Sequence, residues 1–197
     1  MSSTAFAPTL VRTPTAVREA ALALAGVLLV ALAAQIVIPL PFTPVPITGQ
    51  TFAALLVGGA YGAGRGATTL GLYLVVGCLG APVFADGAHG TTVVLSATGG
   101  YLVGMVLAAA VVGAAAEHGW DRRLITSLLA MMAGSVLVYA VGATWLAIEL
   151  DLDVVTAVHL GVTPFIIGDL VKLALAAAVL PAAWSAVARI RDDRNDR

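Results

Sequence analysis

The run LITSLLAMMAGSVLVYAVGATWLAI, residues 124–148, contains no Asp, Glu, Lys or Arg. It exceeds the ~20 apolar residues that cross a bilayer core of ~30 Å. As a helix in water it would have no polar face to present, whereas in lipid its backbone groups are satisfied within the helix. The rest of the chain keeps to this pattern. Only 11% of its 197 residues are charged, 60% are hydrophobic and the mean hydropathy is +1.00; soluble domains carry about 25% charge. The expected class is a single all-α integral membrane domain. A net charge of −1 gives no bulk attraction to nucleic acid. The single cysteine, Cys78, excludes an internal disulfide and reads as a small packing residue.

Residues 1–18 are Ser/Thr/Pro-rich with no apolar core, and are expected to form a flexible tail. Apolar segments follow at 20–38, 50–61, 67–81, 98–116, 124–148 and 164–188, giving a membrane domain over 19–190 and a charged tail at 191–197. The second and third segments are short for a bilayer, reaching only roughly 18–23 Å at 1.5 Å per residue, and GAGRG divides them. Charge placement supports counting both as spans. With the N-terminus inside, all the arginines (Arg12, Arg18, Arg65, Arg122, Arg123, Arg189, Arg191, Arg194 and Arg197) fall on the inner side. The outer connections hold no Arg or Lys, only acids and histidines, as the positive-inside rule requires. Six transmembrane helices with both termini cytoplasmic are therefore expected.

The last segment contains TPFIIGDLVKLALAAAVL, in which Asp169 and Lys172, the only lysine, stand three residues apart. Thr163 and Pro164 read as N-cap and first helical residue. From there Asp169 lies about 8 Å and Lys172 about 12 Å into the helix, on one face. Intramembrane charges of this kind cost ~2.5–3.5 kcal/mol each on insertion scales and mark substrate or ion paths more often than structural joints. The outer connections point the same way. PLPFTPVPITGQT, with four prolines, is expected to be stiff and extended, presenting Thr43, Thr48 and Gln50. The connection APVFADGAHGTTVVLSATGGYL carries Phe84, Asp86, Ser96 and Thr98, then Gly99, Gly100 and Tyr101. The glycines allow close backbone approach by a ligand or a neighbouring helix. Together these describe an outward-facing pocket with one acid and one amine on its wall. It suits a small, largely apolar solute with adjacent donors and acceptors: a cyclic urea, an amide or an amino acid.

FTPVPITGQT, PVFADGAHG…SATGGYLVG and the final GDLVK together resemble the biotin-specific substrate-capture subunits (S components, the BioY family) of energy-coupling-factor transporters, over about residues 18–188. The resemblance implies six helices and biotin as ligand, with Asp169 and Lys172 contacting it. Tyr101, Gln50, Thr43, Phe84, Thr98, Gly99 and Gly100 complete the expected site. It also implies partners: a transmembrane coupling subunit, docked on small residues of the first helix (here Ala21 and Ala25), and two ATPase subunits. The setting would be the cytoplasmic membrane of a prokaryote. The sequence departs from the family pattern at Ala97, where many members have proline before TGGYL. The outer connections also lack an Arg or Lys for biotin's carboxylate, leaving helix amides, Tyr101 or loop hydroxyls to meet it.

No phosphate-binding G-x-x-x-x-G-K-[ST] is present, so ATP would be used by the partners and not by this chain. Gly58, Gly62 and Gly66 read as close helix packing and a tight inner turn. His89, His118 and His159 lack metal-ligand spacing, and Ser96 and Asp86 share a loop without the context of a hydrolase. No metal, cofactor or enzymatic activity is expected. Tyr73, Met105, Met131, Met132 and Tyr139 read first as packing residues. The alternatives are a self-sufficient secondary transporter, with Asp169 as proton or ion site, and a scaffold in which the pair only joins helices.

Overall fold

The computed structural model describes residues 15–195 of the chain. Arg12 and most of the expected N-terminal tail lie outside them. The elements are α1 (Thr15–Ala34), β1 (Val37–Ile38), β2 (Ile47–Thr48), α2 (Gln50–Tyr61), α3 (Ala63–Cys78), α4 (Thr91–Val94), α5 (Gly99–Glu117), α6 (Leu124–Glu149), α7 (Val154–Gly161) and α8 (Ile166–Asn195), with short 3-10 turns between some of them. Four stretches, 16–34, 99–117, 124–149 and 154–186, are long and apolar enough to cross a membrane. Their outward positions are apolar, with Ile167 80%, Ile125 73% and Leu32 69% exposed. Lipid would solvate such a surface; water would not.

The core forms where α5 packs on α6, α2 and α3, and small residues set the approach. A Cβ on Gly58 would lie 2.6 Å from the Ala109 carbonyl oxygen, and one on Gly66 3.0 Å from the Gly58 Cα. Close packing by these glycines is thus as expected, but the division at GAGRG is narrower. Gly62 alone, with φ 88, makes the turn, and α3 begins at Ala63. Arg65 makes a two-pronged ion pair with Glu19, at 2.6 and 3.0 Å, tying α3 to α1.

The proline-rich connection is not simply extended. It folds back as an antiparallel pair, Val37 opposite Thr48 and Ile38 opposite Ile47, with Pro39, Pro41, Pro44 and Pro46 between the strands. Prolines cannot donate to a ladder, so they occupy the excursion and not the paired residues. The stretch before the last helix also differs from expectation. It holds an additional helix, α7, capped by Asp153, whose side chain accepts from Val155 N and Thr156 N. Thr163 is not a cap; its hydroxyl donates back to the Val158 carbonyl at 3.3 Å. Pro164 lies in a 3-10 turn, and α8 starts at Ile166. The helices also overrun the expected tails: α1 begins at Thr15 and α8 continues to Asn195.

Candidate functional site

Asp169 and Lys172 meet as their spacing requires. Lys172 Nζ donates to Asp169 Oδ1 at 2.7 Å within the first turns of α8. The tertiary structure adds three partners. Tyr139, from α6, donates its hydroxyl to Asp169 Oδ2 at 2.6 Å. Lys172 Nζ also donates to the Thr48 carbonyl at 2.8 Å and, at a longer 3.4 Å, to Thr51 Oγ1. Asp169 is 6% exposed, and each of its oxygens has a donor. A buried carboxylate needs such compensation, and each oxygen keeps a further lone pair for another donor. One cluster therefore joins α8, α6, β2 and α2.

The cluster lines an open cavity whose free space, counted together with its mouth, is ≈ 610 Å³. Polar groups come from Thr48, Gln50, Thr51, Thr98, Tyr139, Asp169 and Lys172; the rest of the wall is largely apolar, including Val45, Phe84, Leu102, Met105, Val138 and Phe165. Gln50 Nε2 donates to the Tyr73 hydroxyl at 2.7 Å, and that hydroxyl donates to the Val83 carbonyl at 2.8 Å. This relay fixes the chain beside Phe84, whose ring stands edge-on to Tyr73 with centroids 5.5 Å apart.

Of the other residues singled out in the sequence, Tyr101 lines the cavity, but its hydroxyl is committed to the Gly161 carbonyl at 2.8 Å. Thr43 is not among the cavity's lining residues. It is buried and donates to the Leu160 carbonyl at 2.8 Å, tying the hairpin to α7. Gly99 and Gly100 serve neighbouring protein segments: a Cβ on Gly99 would strike the Val94 carbonyl, and one on Gly100 the Trp145 side chain. Ala21 and Ala25 are exposed on α1. Tyr139 and Met105, read from sequence as packing residues, line the cavity. For Tyr139 the available signal was a phenol in an apolar helix, which needs a partner when buried. Among the described residues no group of three His, Cys, Asp or Glu could hold a metal ion.

The BioY family profile matches residues 4–189. The chain is 37% identical over 162 residues to the biotin transporter BioY of Rhizobium etli, covering 79% of this chain and 86% of that one. It is 35% identical over 142 residues to the biotin transporter BioY of Thermotoga maritima, with 72% and 82% covered. Among solved structures it is similar to the S-component for biotin from an ECF-type ABC transporter, with a TM-score of 0.79 at 23% identity, covering 86% of this chain and 92% of that one.

Proposed function

The chain belongs to the BioY family, and from that premise we propose that it captures biotin as the S component of an energy-coupling-factor transporter. The observation that carries the proposal is the Asp169–Lys172–Tyr139 cluster set in an otherwise largely apolar cavity. Biotin has the matching chemistry: a ureido ring with two N–H donors flanking a carbonyl, then an apolar thioether ring and a valerate chain. A spare lone pair of Asp169 accepts one ureido N–H group. The ureido oxygen takes the Lys172 donor that otherwise makes only the 3.4 Å contact with Thr51. Phe84, Tyr101, Leu102 and Met105 cover the apolar rings and chain. The carboxylate lies toward Thr98, the hydroxyl on the α5 side of the cavity.

In this reading the spans are α1, α2, α3, α5, α6 and α8, with both termini cytoplasmic, as the arginine distribution supports. At 12 and 16 residues, α2 and α3 are too short to bridge ~30 Å alone, and the hairpin above α2 completes its path. Transport depends on a coupling subunit docked on α1 near Ala21 and Ala25, and on two ATPase subunits. Exposure supports that docking face, because α1 is the least buried of the long helices. The chain itself performs no catalysis and needs no cofactor, and it resides in the cell membrane.

Titration of biotin into the detergent-purified chain tests capture, with desthiobiotin and an amino-acid panel as comparisons. Saturable binding at one biotin per chain, with the amino acids silent, is expected. A folded sample that does not bind overturns the proposal. ATP-independent uptake driven by a proton gradient, without partners, would favour a secondary transporter instead.

A further inference from the structure

Gln35 follows the last turn of α1, and its amide reaches a distant part of the chain. Nε2 donates to the Phe84 carbonyl at 3.1 Å, and Oε1 accepts from Gly87 N at 3.0 Å. A further bond from Nε2 to the Ala31 carbonyl, at 2.9 Å, steadies the side chain against its own helix. Both donors and the acceptor are thus engaged.

The segment it grips is a turn with two successive left-handed residues, Asp86 at φ 55 and Gly87 at φ 68. Asp86 carries one of the few side-chain types that adopt that region, at a modest cost that glycine does not bear. Such a turn benefits from an external hold. Phe84 leads into it. Its side chain is 1% exposed, lines the cavity and rests on Gly77, where a Cβ would strike the ring. Tyr73 fixes the Val83 carbonyl on the near side, and Gln35 holds Phe84 and the far side.

We propose that Gln35 is a positioning residue for capture: by gripping the backbone at Phe84 and Gly87, it keeps the Phe84 ring in the cavity wall and so sets how long biotin stays bound. The inference rests on the biotin reading above. Loosening a wall of a formed pocket acts mainly on escape, so the release rate should move and the association rate should not.

The test is biotin release, by chase with unlabelled biotin, from the full chain in detergent. Gln35→Met removes both loop contacts and should speed release roughly ten- to thirtyfold, with association changed less than about twofold. Gln35→Glu keeps the acceptor for Gly87 N but sets a carboxylate oxygen against the Phe84 carbonyl, and should also speed release; it carries the test if the methionine variant does not fold. In a Phe84→Ala background, adding Gln35→Met should raise release no further, because the two act as a unit. Unchanged release in Gln35→Met, or its full effect in the Phe84→Ala background, overturns the assignment. A wild-type chain that never binds biotin overturns this inference and the functional reading together. Wild-type binding with unchanged variant release overturns this one alone.

Discussion

Two buried aspartates lean on the same helix and are built for different ends. Asp169 lies in the first turns of α8. Asp121, in the turn between α5 and α6, accepts from Trp184 Nε1 at 2.6 Å, about 22 Å further along α8 at 1.5 Å per residue. Both are nearly closed off, at 6% and 3% exposed. Asp169 has a donor on each oxygen and faces a cavity of ≈ 610 Å³. Asp121 has one oxygen on Trp184 and no hydrogen-bond partner for Oδ1 among the described residues; with Ser127 it borders a void of only ≈ 160 Å³. Arg122 stacks over Trp184, 4.8 Å from the ring centroid, and completes this second cluster. Measured the same way, that void is about a quarter of the space beside Asp169. The two clusters teach that burial of an acid does not by itself mark a site. Asp169 has spare lone pairs and open space for a further donor, and Asp121 lacks that space.

The largest expected effect comes from Lys172→Met. It strips the buried Asp169 of its cation, and breaking a fully buried pair from one side costs about 3–5 kcal/mol. That is an upper bound here, because Lys172 is half-buried. Unfolding in mild detergent should show that loss. The double variant Asp169→Asn/Lys172→Met should recover most of the stability without recovering biotin binding. A Lys172→Met chain as stable as wild type would remove the distinction drawn between the two clusters.

Asp169→Asn is next. The amide cannot serve as an anionic acceptor for the ureido N–H group, and a hydrogen bond to a charged group is worth about 1.5–3 kcal/mol, or roughly 10- to 150-fold in affinity. Titration checks it, and unchanged affinity in the folded variant would sink the role given to Asp169.

Asp121→Asn should have the smallest effect on capture, less than about twofold in biotin affinity, because the sites are far apart. Its signature is in the pH dependence of stability. Burial, only partly offset by the Trp184 hydrogen bond, raises the Asp121 carboxyl above its ordinary value of 3.8. Between that value and the raised one, the folded chain keeps a proton that the unfolded chain has released. The contribution of Asp121 is therefore full below about pH 4 and is lost as pH rises through the folded value. Relative to Asp121→Asn, the wild-type unfolding midpoint should fall as pH increases over that window and then level off. Parallel curves for the two chains would show that Asp121 does not titrate differently on folding.

The Asp169 side of this contrast was legible in the sequence. Asp169 and Lys172 are three residues apart on a helix, so their meeting is local geometry. The long uncharged run at 124–148 and the glycines Gly58, Gly62 and Gly66 likewise state lipid exposure and close packing through residue type and spacing alone. Gln50, Phe84, Thr98 and Tyr101 were legible as wall residues because they stand in or beside connections of unusual composition. Thr43, Gly99 and Gly100 stand in the same connections and serve other contacts, since sequence says which loop a residue is on but not which way it points.

What the chain could not state by itself are contacts between distant segments. The Thr48 carbonyl that receives Lys172 is a backbone group 124 residues away, and no side-chain type announces it. Tyr139 and Asp169 pair across α6 and α8, and Gln35 finds Phe84 and Gly87 only once α1 and the loop after α3 are side by side. The sequence by itself determined the membrane class, the long helices and the charged pair, because hydropathy and helical periodicity act over a few turns. The tertiary structure alone decided how the pair is completed, which wall residues face the cavity and which aspartate has space beside it, because those depend on the packing of helices far apart in the chain.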